Sequence, residues 1–295
     1  MTKICAPVGI LSYYARVEGG VKVEIRPVTR PNSFIYTLFG DFVLGGTQGE
    51  LWIGSLIALM AAFGLSEPAV RQAVSRMSRQ GWLAARRHGN RSFYALTERG
   101  KRRIESLRPR IYGPVVDWDG KWRVVTYTIA ETNRERRDRL RKDLIVLGLA
   151  PLSGSTWISP ADVLEDVRAA AQSGGLLANV ALFCGEYRGP LADRALLERC
   201  WDLPLIAQRY RDFIAQYEPR LGALRDAGRV SDEQYFVERM WLVHDYRKFT
   251  YVDPGLPSTL LPAHWPGARA AQIFRRHYAE ISVAAERFFR GALQR

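Results

Sequence analysis

SEPAVRQAVSRMSRQGWLAARRHGNRSFYALT, residues 66–97, is the stretch that decides the fold. Ser66 ahead of Glu67-Pro68 reads as a helix start. A hydroxyl residue suits the N-cap, an acid suits the positive first turn, and proline is tolerated there. Val70, Val74 and Met77 then recur at i, i+4 and i+7, which predicts a helix that buries these three side chains. Arg71, Gln72, Ser75, Arg76 and Arg79 fall elsewhere around that helix. Gly81 ends it. WLAARR and RSFYAL follow as two strand-like runs around His88-Gly89-Asn90, where glycine and asparagine tolerate the positive φ of a tight hairpin.

Upstream, PNSFIYTLFGDFV reads as a first helix, with Asn32 or Ser33 as its cap. Gly45, Gly46 and Gly49 punctuate a loop, and LWIGSLIALMAAFG reads as a second helix stopped by Gly64. Helix, helix, helix, hairpin is the order of a winged helix-turn-helix, expected over residues 31–110. That span holds twelve Lys and Arg against five Asp and Glu, an excess of seven within a chain total of +13. Every one of those basic residues lies at or after Arg71. Charge needed only for solubility would be scattered. Charge loaded on a third helix and its hairpin suits a polyanion. Such a helix fits a major groove about 12 Å wide, where Arg pairs with guanine and Gln with adenine. The candidate DNA contacts are Ser66, Arg71, Gln72, Ser75, Arg76 and Arg79 on the helix, with Arg87, His88, Asn90 and Arg91 on the hairpin. The competing reading is a basic but solvated helix and hairpin.

Farther along, residues 111–120 form a turn-rich joint, and residues 121–189 read as βαββαβ, the ferredoxin-like pattern. KWRVVTYTI, GLAPLSG, STWIS and NVALFCGEY are its strands. NRERRDRLRKDLIVLG is a basic amphipathic helix with Leu140, Leu144 and Leu147 inward, and Ser159-Pro160 cap the second helix, ADVLEDVRAAAQS. Residues 190–295 are mostly helical, with Ser231 as the cap of SDEQYFVERMWLVHDYRKF, and are interrupted by the proline-rich YVDPGLPSTLLPAHWPG. Residues 1–30 are expected to be a partly ordered arm. The fold class is therefore α+β in three domains, 31–110, 111–189 and 190–295.

Bulk properties agree with a globular chain: 295 residues, 47% hydrophobic, 25% charged. Cys5, Cys184 and Cys200 are few, odd in number and far apart. They offer no disulfide framework and no zinc spacing, which suits a reducing cytoplasm. The most apolar run, residues 51–65, falls short of the roughly 20 residues that span a bilayer, and residues 1–20 lack a signal-peptide pattern. Neither a membrane nor a cofactor is expected.

The motifs PNSFIYTLFGDFV, GELWIGSLIALMAAFGLSEPAVRQAVSRMSRQGWL and RRHGNRSFYALTERG resemble the opening domain of PaaX, the phenylacetate-catabolism repressor family. The likeness continues through WDGKWRVVTYTI, RRDRLRKDLIVLGLAPLSGSTWISP and HDYRKFTYVDPGLPSTLLPAHWPG, so it spans about residues 31–290. It implies a bacterial, homodimeric, operator-binding repressor. Such a repressor releases double-stranded DNA when a small-molecule effector binds, typically an aryl-CoA thioester. The middle unit also resembles the small CRISPR-associated adaptation nuclease. A metal-dependent nuclease is accordingly the alternative function. That nuclease carries a metal-binding Asp near the end of its first strand, and PaaX-like proteins often keep it. Here the matching position in VVTYTIA is Thr128, and the carboxylate ligand is missing.

No Walker A, GxSxG or HExxH motif is present, and His88, His244, His264 and His277 are scattered. No catalytic residue and no metal site are assigned. One further cluster stands out in MWLVHDYRKFTYVDPGLPSTLLPAHWPG. Trp241, His244, Tyr246, Arg247, Lys248 and Trp265 supply rings for an aromatic acyl group and cations for a phosphate, so they are the candidate effector contacts. The plainer reading is a core packed beneath a proline-rich loop.

Overall fold

The computed structural model describes residues 13–14, 24–46, 49–113, 117–226 and 230–294. Most of the expected N-terminal arm lies outside them; Tyr13–Tyr14 and Glu24–Ile25 pair as a short antiparallel ladder. The protein is α+β. Its chain divides into two compact units, one of residues 1–100, 219–241 and 277–295, the other of residues 101–218 and 242–276.

The first unit opens with α1 (Pro31–Leu38). Its cap is the backbone of Arg30, with no side-chain cap bond, so neither Asn32 nor Ser33 has the expected role. Pro31, whose φ is already helical, starts the turn instead. A wider π turn, Phe39–Val43, follows. The apolar run after it is not all helix. Glu50–Trp52 is a strand, β1, and only Ile53–Ala61 is helical, α2. α3 (Glu67–Arg79), β2 (Leu83–His88) and β3 (Arg91–Leu96) complete the segment. The sheet order is β1-β3-β2, all antiparallel, with Trp52 opposite Phe93 and His88 opposite Arg91.

Rings from distant parts of the sequence fill this unit's core. Phe34 meets Phe63 and Trp241 with centroids 4.7 Å away in each case. Phe42 meets Phe236 and Phe289 at 5.2 and 5.0 Å. One charged pair is buried there too. Arg239 donates to Asp41 at 2.8 Å and to the Tyr278 hydroxyl at 2.7 Å, while that hydroxyl donates to Asp41 at 2.9 Å. Hydrogen bonds of this kind around both charges are what make such a pair tolerable in a core.

In the second unit, α4 (Glu98–Tyr112, from residue 101) leads to a four-stranded sheet. The elements are β4 (Trp122–Tyr127), α5 (Arg134–Leu147), β5 (Ala150–Ser153), β6 (Thr156–Ser159), α6 (Leu164–Ser173) and β7 (Val180–Gly185). The strand order β5-β6-β4-β7, antiparallel throughout, is that of a ferredoxin-like unit. Val125, Tyr127 and Trp157 from the sheet pack on Leu140, Leu144 and Val167 from the helices. Ser159 does not cap α6, whose N-cap is Val163; its hydroxyl accepts from the Ala161 amide at 3.2 Å and closes a local turn. The later helices are α7 (Asp193–Cys200), α8 (Leu203–Asp226), α9 (Asp232–Tyr246) and α10 (Pro266–Leu293). Those beyond α7 contribute residues to both units.

Candidate nucleic-acid interface

α3 has the two faces its spacing predicts. Val70, Ala73, Val74 and Met77 are buried. Ser66 stands at the N-cap in extended conformation, with no side-chain cap bond. Ser66, Arg71, Gln72, Ser75, Arg76 and Arg79 are all exposed. Arg71 is held by Glu67 one turn earlier, Nε to Oε1 at 2.7 Å, with both side chains 55% exposed. Arg76 and Arg79 have no ion pair among the described residues.

Between β2 and β3 the turn is two residues long. Gly89 alone takes positive φ, +59°, and Asn90 does not share the left-handed conformation expected of it. One left-handed residue at the first central position is the requirement of a type II′ turn. Arg87, His88, Asn90 and Arg91 are exposed around this tip. Arg87 Nε donates to the Gly89 carbonyl at 3.2 Å. His88 Nε2 lies 3.7 Å from Glu50 on β1, and the Arg91 guanidinium sits 4.5 Å from the centre of the Trp52 ring. Arg99 covers Trp82 at 4.4 Å and donates to the Gln80 carbonyl at 3.4 Å, which places a cation at the C-terminus of α3. Sequence reasoning missed Glu50 and Trp52: it placed Trp52 in a helix that begins at Leu51 and left Glu50 outside any element. Pairing of β1 with β3 is what brings both residues to the hairpin.

The candidate effector residues are divided between the two units. Trp241 belongs to the core of the first unit, beside Phe34 and Phe63, with Arg26 over its ring at 4.3 Å. The others belong to the second unit. Tyr246 stacks on Phe274 at 4.1 Å, and burial pushes its hydroxyl up to about 12. A chain of rings runs from Tyr246 through Phe249 and Tyr210 to the half-buried Trp265. Burial, then the Asp253 carboxylate that accepts its hydroxyl at 2.7 Å, raises the Tyr210 phenol well above its ordinary range. His244 is buried, as is Arg247, which donates to the Tyr251 hydroxyl at 3.4 Å. Lys248 is exposed and bridges to Asp245 at 2.8 Å.

Thr128 follows β4 and is exposed. Its amide donates to the Asn179 carbonyl at 2.9 Å, and its carbonyl accepts from the Asn179 side chain at 3.0 Å. Among the described residues no group of three or more His, Cys, Asp and Glu is placed to hold a metal ion. No described helix is long and apolar enough to cross a membrane.

An exposed basic helix with a three-stranded antiparallel sheet beside it, followed by a ferredoxin-like unit and a helical region, has counterparts among known proteins. Residues 30–100 match the PaaX-like protein family, residues 115–197 the PaaX protein central Cas2-like domain, and residues 201–291 the PaaX-like protein C-terminal domain. The chain is 36% identical over 264 residues to the transcriptional repressor PaaX of Escherichia coli (strain K12), covering 87% of this chain and 82% of that one. It belongs to the PaaX family. Among solved structures, the uncharacterized protein Rv0674 from Mycobacterium tuberculosis is similar, with a TM-score of 0.51, 23% identity, and coverage of 88% of this chain and 97% of that one. At that identity the likeness speaks to the fold alone.

Proposed function

We propose that this protein is an operator-binding transcriptional repressor of an aromatic catabolic operon. Residues 31–110 act as a winged helix-turn-helix: α3 reads base edges, and the β2–β3 hairpin is the wing that meets phosphates or the minor groove. The observation that carries this reading is the two-faced α3. Its apolar side is consumed by the core, and its other side presents Arg71, Gln72, Ser75, Arg76 and Arg79 to solvent. Membership of a family that includes a named transcriptional repressor supports it. The working form is a homodimer, whose two recognition helices meet successive grooves about 34 Å apart. An aryl-CoA thioester acts as effector and favours a dimer geometry that no longer fits those grooves. The segment 241–265 supplies the effector response.

No catalytic role is assigned. The nuclease alternative rests on the Cas2-like character of residues 115–197, and Thr128 stands where that chemistry needs a carboxylate.

Binding titrations on an operator fragment and on random duplex test the repressor reading. Arg71→Ala or Gln72→Ala should weaken operator binding by about 1–3 kcal/mol and leave random DNA nearly unchanged, narrowing the gap between them. Phenylacetyl-CoA added to the operator complex should release the DNA. Equal affinity of both variants and the parent on both DNAs would sink the reading.

A further inference from the structure

We propose that Trp52 is a positioning residue for DNA contact, a platform that holds the Arg91 guanidinium ready at the hairpin tip. The proposal rests on the DNA-binding reading above and adds a residue that never touches a base. Arg91 is the first residue of β3, directly opposite His88, and its guanidinium lies over the indole at 4.5 Å. Stacking uses the flat face of a guanidinium and leaves the N–H donors around its rim available to phosphate oxygens. Those donors are uncommitted: Arg91 is exposed and has no hydrogen-bond or carboxylate partner among the described residues. Its neighbours differ. Arg87 is tied to the Gly89 carbonyl, and Arg99, also over an indole, is tied to the Gln80 carbonyl.

An arginine lying on a surface tryptophan is often no more than packing. What separates this case is the space made for the ring. A Cβ on Gly54 would come within 2.4–2.6 Å of three atoms of the Trp52 six-membered ring. Gly54 sits in the first turn of α2 without positive φ, so the backbone does not call for glycine there. Glycine is among the poorest helix formers. Room for the indole is the reason that remains. Trp52 itself is fixed at both ends of its short span, paired to Phe93 in the sheet and serving as N-cap of α2. The ring therefore offers Arg91 a fixed surface, and the arginine reaches DNA with less freedom to lose.

The test uses full-length protein and a fluorescein-labelled duplex of random sequence, since a phosphate contact is felt on any sequence. Trp52→Leu should weaken binding about two- to fivefold, the worth of an exposed cation–π contact, while Trp52→Phe keeps most of the affinity. In an Arg91→Ala background Trp52→Leu should add nothing. Arg91→Lys keeps the charge but loses the plane, so it should fall between the parent and Arg91→Ala; it carries the test together with Trp52→Phe if the leucine variant does not fold. Loss in Trp52→Leu that is the same with and without Arg91 overturns the proposal, as does Arg91→Lys binding like the parent. Weakening by Arg91→Ala but none by Trp52→Leu overturns it while leaving the DNA reading intact. No effect of Arg91→Ala removes the wing contact itself.

Discussion

Arg71 shows how one residue can be right in place and still engaged elsewhere. The i, i+4, i+7 pattern of Val70, Val74 and Met77 leaves Arg71 on the open side of α3, where the structure has it. The 2.7 Å pair with Glu67 was equally available from the sequence, since acids four residues ahead of a base meet it on a helix. Between exposed groups such a pair is worth only about 0.3–0.5 kcal/mol, so DNA can take the arginine over at small cost. On the proposed DNA-binding reading, Glu67 also places a negative charge next to incoming phosphates. Glu67→Gln should therefore tighten binding to operator and random DNA alike, by about two- to threefold at low salt, with the gain shrinking as salt screens it. Fluorescence anisotropy across a salt series measures this. A variant that binds more weakly would mean that Glu67 itself holds Arg71 in its reading position.

At the level of elements, legibility followed the number of neighbours a residue must answer to. α3 was readable because one buried stripe fixes its phase. The βαββαβ order of residues 121–189 was readable because each strand and helix is bounded by its own turn, and the sheet joins them in the ferredoxin-like order. Glu50–Trp52 was not. A short apolar run has no period that separates strand from buried helix, and only its pairing with β3, some forty residues away, makes it a strand. Trp241 and Tyr246 stood in one aromatic segment, yet they sit in different units, which a linear pattern cannot express. Helix ends were mixed. Ser231 does cap α9, exchanging bonds with Gln234, whereas Asn32 and Ser33 yielded to Pro31. Gly148 is an end whose reason is spatial as well as conformational. It closes α5 with φ +89°, and a Cβ there would lie 2.3 Å from Pro254 Cβ and 2.8 Å from Arg110 Nη1. Arg110 cannot easily yield, because its other terminal nitrogen donates to the carbonyls of Val146 and Thr250 at 2.8 and 3.0 Å. Gly148→Ala should thus lose about 2–4 kcal/mol, the left-handed penalty plus overpacking, read as a lowered urea midpoint. A loss below about 1 kcal/mol would show that Pro254 moves aside freely.

Across the whole molecule the question is where its charge does its work. The chain carries +13, with an excess of seven between residues 31 and 110. If net charge alone drew DNA in, the position of a removed arginine would not matter. If α3 and the wing make the contacts, only arginines there release counterions on binding. Each phosphate neutralised contributes about 0.9 to the slope of log K against log salt. Arg87 and Arg91 flank the hairpin tip and are exposed; Arg194 and Arg199 on α7 are exposed as well. Replacing either pair with glutamine removes the same two charges and leaves polar side chains. Arg87→Gln with Arg91→Gln should lower the slope by about two and weaken random and operator DNA together, so the ratio of the two affinities stays nearly constant. Arg194→Gln with Arg199→Gln should leave the slope within experimental error. Titrations of both double variants over several salt concentrations decide between the alternatives. Equal slope changes in the two pairs would mean that DNA responds to overall charge, and the wing would then lose its standing as a contact surface.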